Sequence, residues 1–361
     1  MLIASRVLQG VGAALCVPSS LALLGAAFPD AQARAKAVSI WAGTAALALG
    51  AGPLVGGALV DRFGWPAIFL VNVPVGVAGI WLTVAHAPDT VRHAARRIDL
   101  AGQMLAIVTL AALTYAVVES SGSGWSSSIV MTGLAVSLAA GALFVAVEAR
   151  QAQPLLPLSL FRHAAVNVSA LTGLSLNFGY YGLMFAMSLF FQNVRSDTPF
   201  ETGLAFLPMT AVVAVANVIS GALTARFGYR LPMIAGQALA MAGYLSLVFI
   251  HADSGTLAVS APLLAVGVGV ALAVPSINTA VLAHVSPSSV GIASGVLNTA
   301  RQIGGVVGVG VFGSLMGSTT FELVKGLHVA VTLAAVVSLS SLLAAYVGLK
   351  TSGPTLRQGA F

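Results

Sequence analysis

Charged side chains are scarce in this chain of 361 residues, because Asp, Glu, Lys and Arg together make up only 7% of it. A soluble globular domain carries about 25% charged residues, so the composition excludes an ordinary soluble protein. Cysteine is nearly absent as well, and with Cys16 alone no intramolecular disulfide can form. A disordered chain is also excluded, because 58% of the residues are hydrophobic.

Signatures of enzymes and metal sites are missing too. No Gly-x-x-x-x-Gly-Lys-Ser/Thr sequence is present to bind phosphates, which argues against an ATP-driven activity. Gly308–Gly313 has the form Gly-x-Gly-x-x-Gly, but it lies inside an apolar segment and so does not indicate a dinucleotide site. No spacing of His and Cys indicates a metal, and no catalytic groups cluster inside the apolar segments. We therefore expect no enzyme activity, no cofactor and no metal.

Long apolar runs fill the sequence instead. A helix needs about 20 predominantly apolar residues to cross a bilayer, and eleven segments of this kind can be marked in the chain. Their abundant Gly, Ala and Ser let helix backbones approach closely in lipid. The sequence predicts an all-α polytopic membrane protein, a helical bundle with about 11 transmembrane helices. The segments are Leu2–Ala27, Ala37–Val60, Pro66–Ala85, Leu100–Val118, Ile129–Val147, Val166–Phe191, Gly203–Ala225, Leu231–Ile250, Leu257–Ala283, Val290–Met316 and Leu327–Leu349.

The basic residues are distributed unevenly among the loops. One alternate set of loops holds eleven of the 16 Lys and Arg residues, and the opposite set holds three. Because cytoplasmic loops carry the excess, the first set and the C-terminus are predicted to be cytoplasmic in a cell membrane. The same bias explains the net charge of +6 without a nucleic-acid partner. The first set is Arg34, Lys36, Arg92, Arg96, Arg97, Arg150, Arg162, Arg226, Arg230, Lys350 and Arg357, and the second is Arg62, Arg195 and Lys325.

The two longest loops divide the chain into three parts. The loops His86–Asp99 and Glu148–His163 enclose a pair of apolar segments that looks inserted. Residues 1–85 are then the remainder of an N-terminal bundle with three spans, and residues 86–163 are the inserted helix pair with its cytoplasmic loops. Residues 164–361 form a six-helix bundle and a short cytoplasmic tail. Membrane transporters are often built from two such halves with a site between them.

Two arginines, Arg6 and Arg301, fall inside apolar segments, whereas no Asp or Glu lies in the middle of one. A charge near the bilayer centre costs at least about 2.5–3.5 kcal/mol, so Arg301, near the middle of its segment, is expected to face a cavity or a partner. Arg6 lies near the external end of its segment, where its side chain can also reach the membrane surface. Polar and aromatic residues in the segments either line such a cavity or form hydrogen bonds between helices, and the sequence leaves both interpretations open. The substrate-pathway candidates are Asn177, Tyr180, Tyr181, Asn217, Asn278, Asn298, Arg301 and Gln302.

A glycine-rich run in the second segment is predicted to pack closely against another helix. Gly52, Gly56 and Gly57 leave a flat surface, and Pro53 removes one backbone hydrogen bond and favours a bend. Such a helix suits a moving or sealing role, although a static, closely packed pair is the alternative.

Three motifs together resemble the major facilitator superfamily, and specifically its branch of 14-spanning drug:proton antiporters. The first resembles the arginine motif of that family's fourth span, the second its antiporter motif on the fifth span, and the third its cytoplasmic loop signature. In this sequence the first consists of Arg6, Gln9, Gly10 and Gly12, the second of Gly52, Pro53, Gly56 and Gly57, and the third of Gly221, Arg226, Gly228 and Arg230.

The resemblance implies a secondary transporter that exports small apolar or cationic molecules by proton antiport, with alternating access through a gate at the loop motif. It implies a role for Arg6 in proton coupling. It also places Met1 at the family's fourth span, so that three spans and their acidic residue are expected to be missing. The alternative hypothesis is an inactive or partner-dependent membrane fragment of such a transporter. The oligomeric state stays open.

Overall fold

The computed structural model describes residues 2–28, 30–86, 99–151, 154–286 and 289–349. All regular secondary structure within these ranges is helical. The predicted cytoplasmic loop containing Arg92, Arg96 and Arg97 and the tail containing Lys350 and Arg357 lie outside the described residues.

Thirteen α-helices follow one another in the described ranges, and each of the eleven apolar segments coincides with a helix or with two consecutive helices. Two short turns of other types occur, a 3₁₀ turn at Leu158–Arg162 and a π-helical turn at Phe190–Val194. The helices are α1 Leu2–Ala27, α2 Ala31–Phe63, α3 Ala67–Leu70, α4 Asn72–His86, α5 Leu100–Ser123, α6 Ser128–Glu148, α7 Ala164–Leu189, α8 Pro199–Ala205, α9 Leu207–Phe227, α10 Arg230–Leu247, α11 Thr256–Leu282, α12 Val290–Leu315 and α13 Thr320–Gly348.

Six stretches of these helices are long and apolar enough to cross a membrane, namely Ala67–His86, Leu100–Ser123, Ser128–Glu148, Ala164–Val194, Thr256–Leu282 and Thr320–Gly348. A seventh is added if the two halves of α9, which bend by 43°, count as one span. The predicted count of about 11 is therefore not confirmed. The helices α1, α2, α10 and α12 occupy predicted spans but do not meet the same criterion, and α12 carries Asn298, Arg301 and Gln302 in its middle.

Polar side chains set the beginnings of several helices. Asp99 accepts a hydrogen bond from the Gly102 amide at the start of α5, and Ser127 does the same for Val130 at the start of α6. Thr319 forms a reciprocal capping box at the start of α13. These caps satisfy amides that have no partner within the helix.

The helices from α7 to α13 pack around a main core, built from large side chains such as Tyr244, Phe190 and Phe312. Small residues allow the closest crossings. Gly236 of α10 lies against Gly269 of α11, where a β-carbon at either position would come within 2.5 Å of the other glycine's carbonyl oxygen. Such direct backbone contact is the usual way in which helices associate in lipid.

The first six helices make fewer contacts. Helix α1 packs on α2, and the short α3 packs on α2 and α4. Neither α3 nor α4 contains a buried residue. Helix α5 packs on α6 and α12, while α2 packs on α8 and α9. Helices α2 and α5 thus carry the main contacts between the first six helices and the other seven.

Replacing Gly269 by valine is expected to lower the stability of the protein by about 1–3 kcal/mol, because the added carbons would overlap the Ala240 and Gly236 backbone. The measurement is thermal unfolding in detergent. Gly79→Val is the matched control, because a β-carbon at Gly79 in α4 meets no atom within 4 Å. Equal melting temperatures of the two variants would contradict the packing argument.

Candidate functional site

The contact between α2 and α8 joins the first group of helices to the second. A β-carbon at Gly57 would overlap the Pro199 carbonyl oxygen, and one at Gly203 would lie 2.6 Å from the Pro53 carbonyl oxygen. Glycines on both helices therefore allow a reciprocal backbone contact. Earlier on α2, the Gly50 carbonyl accepts a 3.1 Å hydrogen bond from the Thr210 hydroxyl, which fixes α9 to the same helix.

The start of α8 is capped partly from within and partly by α2. The Thr198 hydroxyl accepts from the Glu201 amide, and Pro199 has no amide hydrogen to satisfy. The remaining amide of the first turn, that of Phe200, donates to Asp61 Oδ2 at 3.0 Å. Asp61 lies near the end of α2, so its carboxylate acts as a helix cap supplied by a neighbouring helix.

The predicted antiporter motif is only partly engaged in this contact. Gly57 and the Pro53 carbonyl meet α8, whereas a β-carbon at Gly52 or Gly56 would meet no atom within 4 Å. Helix α2 continues through Pro53 from residue 31 to residue 63. The close approach therefore depends on Gly57 and Gly203 more than on the whole glycine run.

Arg6 lies on α1 with exposed neighbours. Its Nη1 donates a 2.7 Å hydrogen bond to Gln9 Oε1, and its guanidinium lies 4.3 Å from the centre of the Phe69 ring. A β-carbon added at Gly10 or Gly12 would meet no atom within 4 Å. The arginine motif thus brings together Arg6 and Gln9, and connects α1 to α3 through a cation–π contact.

The loop motif between α9 and α10 ends one helix and anchors the next. Gly228 adopts φ = 78°, a left-handed conformation that favours glycine, and its amide donates to the Thr224 carbonyl. Arg230 Nη2 donates to the Tyr346 carbonyl at 2.7 Å, in the last turn of α13. Arg226 lies over the ring of its neighbour Phe227, and a β-carbon added at Gly221 would meet no atom within 4 Å.

Four of the predicted pathway residues lie together on α7 and α12. Arg301 packs across Gly173 of α7, and its Nε is buried without a hydrogen-bond partner. Asn177, one turn further along α7, donates to the Gly173 carbonyl at 2.9 Å. Tyr180 and Tyr181 follow, with ring centres 5.5 Å apart, and Tyr181 lies against Gly305 of α12.

The other four pathway residues do not join this group. Asn298 and Gln302 are exposed and line a groove between α12 and α5, with Thr114 on the opposite wall. Asn278 on α11 is exposed, and Asn217 on α9 has a buried Oδ1 without a partner. The structure therefore divides the predicted pathway between two faces of α12 and two further helices.

Three residues with roles at these contacts were not predicted from the sequence: Asp61, Thr210 and Tyr244. Tyr244 of α10 is fully buried, with its hydroxyl against Gly179 of α7 and without a hydrogen-bond partner. A signal existed for Asp61 alone, because the sequence Thr198-Pro-Phe-Glu201 indicates a capped helix whose second amide needs an acceptor.

Two cavities lie at opposite ends of the helices. One of about 610 Å³ is almost entirely apolar and lies between α5, α6, α7 and α12, with Phe144, Phe161 and Leu156 in its wall. The other, of about 380 Å³, lies at the opposite end of the helices, where Arg195 and Asp197 form an ion pair at 3.8 Å. In the described parts of the chain, no group of three or more His, Cys, Asp or Glu residues could hold a metal.

Residues 1–309 match the family profile of the Major Facilitator Superfamily. This chain belongs to that superfamily. It is 39% identical over 319 residues to the multidrug resistance protein Stp of Mycobacterium tuberculosis, a match that covers 88% of this chain and 59% of Stp. It is 37% identical over 319 residues to the methylenomycin A resistance protein of Streptomyces coelicolor, covering 88% of this chain and 67% of that protein.

A third relative is the tetracenomycin C resistance and export protein of Streptomyces glaucescens, 32% identical over 314 residues, covering 87% of this chain and 58% of the relative. The chain thus spans less than two thirds of the length of Stp and of this export protein. The superfamily inferred from the sequence motifs is confirmed. The prediction that this chain is a multi-pass membrane protein is confirmed as well, and its relatives include drug-efflux proteins.

Removing the Asp61 carboxylate is expected to weaken the start of α8. Asp61→Ala should lower stability by about 1 kcal/mol, because the Phe200 amide loses its acceptor. Asp61→Asn should retain most of the stability, because its amide oxygen still accepts. Thermal unfolding of both variants in detergent measures the difference. If alanine and asparagine behave alike, Asp61 does not act as a cap.

Proposed function

We propose that this protein is a secondary active transporter that exports small apolar or cationic molecules, within the 14-spanning drug:proton antiporter branch of the superfamily. Support comes from the drug-resistance and export relatives. It also comes from the helix pair α5 and α6, which follows α4 in the chain and precedes the helices that pack around the main core. No catalysis is proposed, since members of this superfamily are generally carriers.

The observation that carries this proposal is the small-residue contact of α2 with α8 and α9. The contact joins two groups of helices through the close approach at Gly57 and Gly203 and a threonine hydrogen bond. Transporters work by rocking one bundle against another, and a smooth contact of this kind can open and close without repacking a core.

The charge distribution indicates which side this contact closes. It lies at the end of the helices that carries Asp61, opposite to the end with Arg150, Arg162 and Arg230. Because basic residues mark the cytoplasmic side, we propose that the α2–α8 contact seals the external side and that the C-terminus is cytoplasmic. The loop motif around Gly228 would then gate the cytoplasmic side.

We propose that the substrate pathway follows α7, α9, α11 and α12. Tyr181 is partly exposed beside Arg301, and the polar side chains of Asn217 and Asn278 lie on the two other helices. Tyrosine faces and amides suit apolar or cationic substrates, because a ring attracts a cation and an amide supplies both hydrogen-bond roles.

Proton entry is proposed as the driving reaction. Within the described helices, Asp and Glu lie near the ends, and the charged group deeper in the bundle is Arg301. Arg6, held by Gln9 and stacked on Phe69, is proposed to influence proton release electrostatically and not to carry the proton itself. Arg301, with its unpaired Nε, is proposed to orient substrate or water beside Tyr181.

The experiment is dye efflux from a pump-deficient bacterium that expresses this chain, with and without a proton gradient. Gly57→Val is expected to reduce efflux about tenfold. The valine would overlap the Pro199 backbone and weaken the closed α2–α8 contact by more than about 1.4 kcal/mol, which corresponds to a tenfold change in an equilibrium constant. Gly56→Val is the control, because a β-carbon at that position meets nothing within 4 Å and efflux should stay near its normal rate.

Membrane insertion is verified for each variant, so that a loss of efflux reports function. If the inserted wild-type chain shows no efflux, the transport proposal fails and the partner-dependent alternative is favoured. Efflux that is indifferent to the proton gradient would overturn proton coupling. Equal efflux by the two valine variants would overturn the role of the α2–α8 contact.

A further inference from the structure

Two carboxyl groups meet where the start of α5 lies beside the end of α6, far from the α2–α8 contact. Glu148 is the last residue of α6 and is only 2% exposed. Asp99 caps the start of α5. Both side chains lie over Gly102, where a β-carbon would overlap Asp99 Oδ2 and Glu148 Oε1 together. These two oxygens therefore face the same small space over Gly102.

One oxygen of each group is well satisfied. Asp99 Oδ1 accepts from the Gly102 amide at 2.9 Å and from Gln151 Nε2 at 2.8 Å. Glu148 Oε2 accepts from the Leu156 amide at 2.9 Å. The two facing oxygens, Asp99 Oδ2 and Glu148 Oε1, are buried and have no donor. An unpartnered buried oxygen costs about 1–3 kcal/mol. Two such oxygens that face one another therefore indicate that a proton or a metal cation is bound between them.

No positive charge compensates the pair among the residues that the structure describes. Among the described side chains, none of the Lys, Arg or His residues lies within 4 Å of either carboxyl group. Helix α12 packs on α5, but its one titratable side chain, Arg301, lies against α7. Arg150 on the following turn is exposed, and Arg96 and Arg97 lie outside the described residues. Two buried carboxyl groups that face one another favour the state in which one of them holds a proton.

We propose that Asp99 and Glu148 form a proton-binding site, with one proton held between Asp99 Oδ2 and Glu148 Oε1. The proton resides on Glu148, which has the more buried side chain and a single donor, and is donated to the Asp99 carboxylate, which has two. The hydrogen bonds from Gln151 and the Gly102 amide hold the pKa of Asp99 below its usual range, in agreement with this assignment.

The bound proton joins three parts of the chain. It connects the start of α5 to the end of α6, and through the Leu156 amide it holds the segment that leads into α7. Leu156 is also a wall residue of the apolar 610 Å³ cavity. Loss of the proton would place two negative charges side by side and release this connection. The site thus makes the attachment of the inserted helix pair dependent on pH.

The test is the melting temperature of the purified full chain in detergent between about pH 5 and pH 9. The folded pair binds its proton more tightly than separated carboxyl groups do in the unfolded chain. Its stabilisation is therefore complete at low pH and is lost as the pH rises through the value at which the pair releases the proton. The melting temperature of the wild type should fall by about 2–4 °C over this range.

Glu148→Gln replaces the shared proton by a permanent amide donor, so its melting temperature should stay near the low-pH value of the wild type throughout. Glu119→Gln is the matched control. Glu119 lies at the other end of α5 and binds Ser123, so this variant should follow the wild type. If Glu148→Gln loses stability with pH as the wild type does, the proposal is overturned.

Two further measurements on the wild type keep the proposal testable if Glu148→Gln does not fold. Infrared difference spectra should show one protonated carboxyl band that disappears on raising the pH, and absence of this band near neutral pH would contradict a bound proton. Sodium titration at about pH 8 should leave the melting temperature unchanged. A rise with sodium would mean that a metal cation, and not a proton, occupies the pair.

Discussion

Direct contact between a glycine and the backbone of a neighbouring helix is the interaction on which this structure depends. Gly304 and Gly308 of α12 lie against the Leu174 and Phe178 carbonyls of α7, and Gly267 of α11 lies against the Met209 carbonyl. Lipid tails are as apolar as leucine, so burial of apolar surface does not drive helices together in a membrane, and close van der Waals contact must do so. The large aromatic core fits around crossings that only glycine permits.

The same interaction has a different consequence at α2. Within the helices from α7 to α13, glycine crossings are surrounded by buried side chains, and separating them would open a packed core. The α2 crossing involves Gly57, Gly203 and a few polar groups such as Asp61. This difference is the physical basis for proposing that the α2 contact moves while the others stay closed. The carboxyl pair at the other end of the molecule controls a separate attachment, that of α5 and α6.

Much of the helical layout could be predicted from the sequence, because apolar runs of sufficient length specify helices wherever they occur. The rotation of each helix about its own axis could not be predicted. On α12, Arg301 faces α7 while Gln302, the next residue, faces α5, and hydropathy does not distinguish these two neighbours. The glycine motif correctly predicted that α2 packs closely against another helix, but not which glycine makes the contact. Gly56 and Gly57 differ only by a rotation of about 100° around the helix axis. The Asp99–Glu148 pair was missed because residues far apart in sequence meet only when α5 and α6 pack together.

The central claim is that the α2–α8 contact opens during transport. It is tested most directly by the distance between spin labels at Arg62 and Phe200, two exposed positions beside this contact. The distance is measured in membranes with and without a transported dye under a proton gradient. The account predicts a short distance at rest and a second, longer population once dye and gradient are both present. A single short distance under every condition would contradict it.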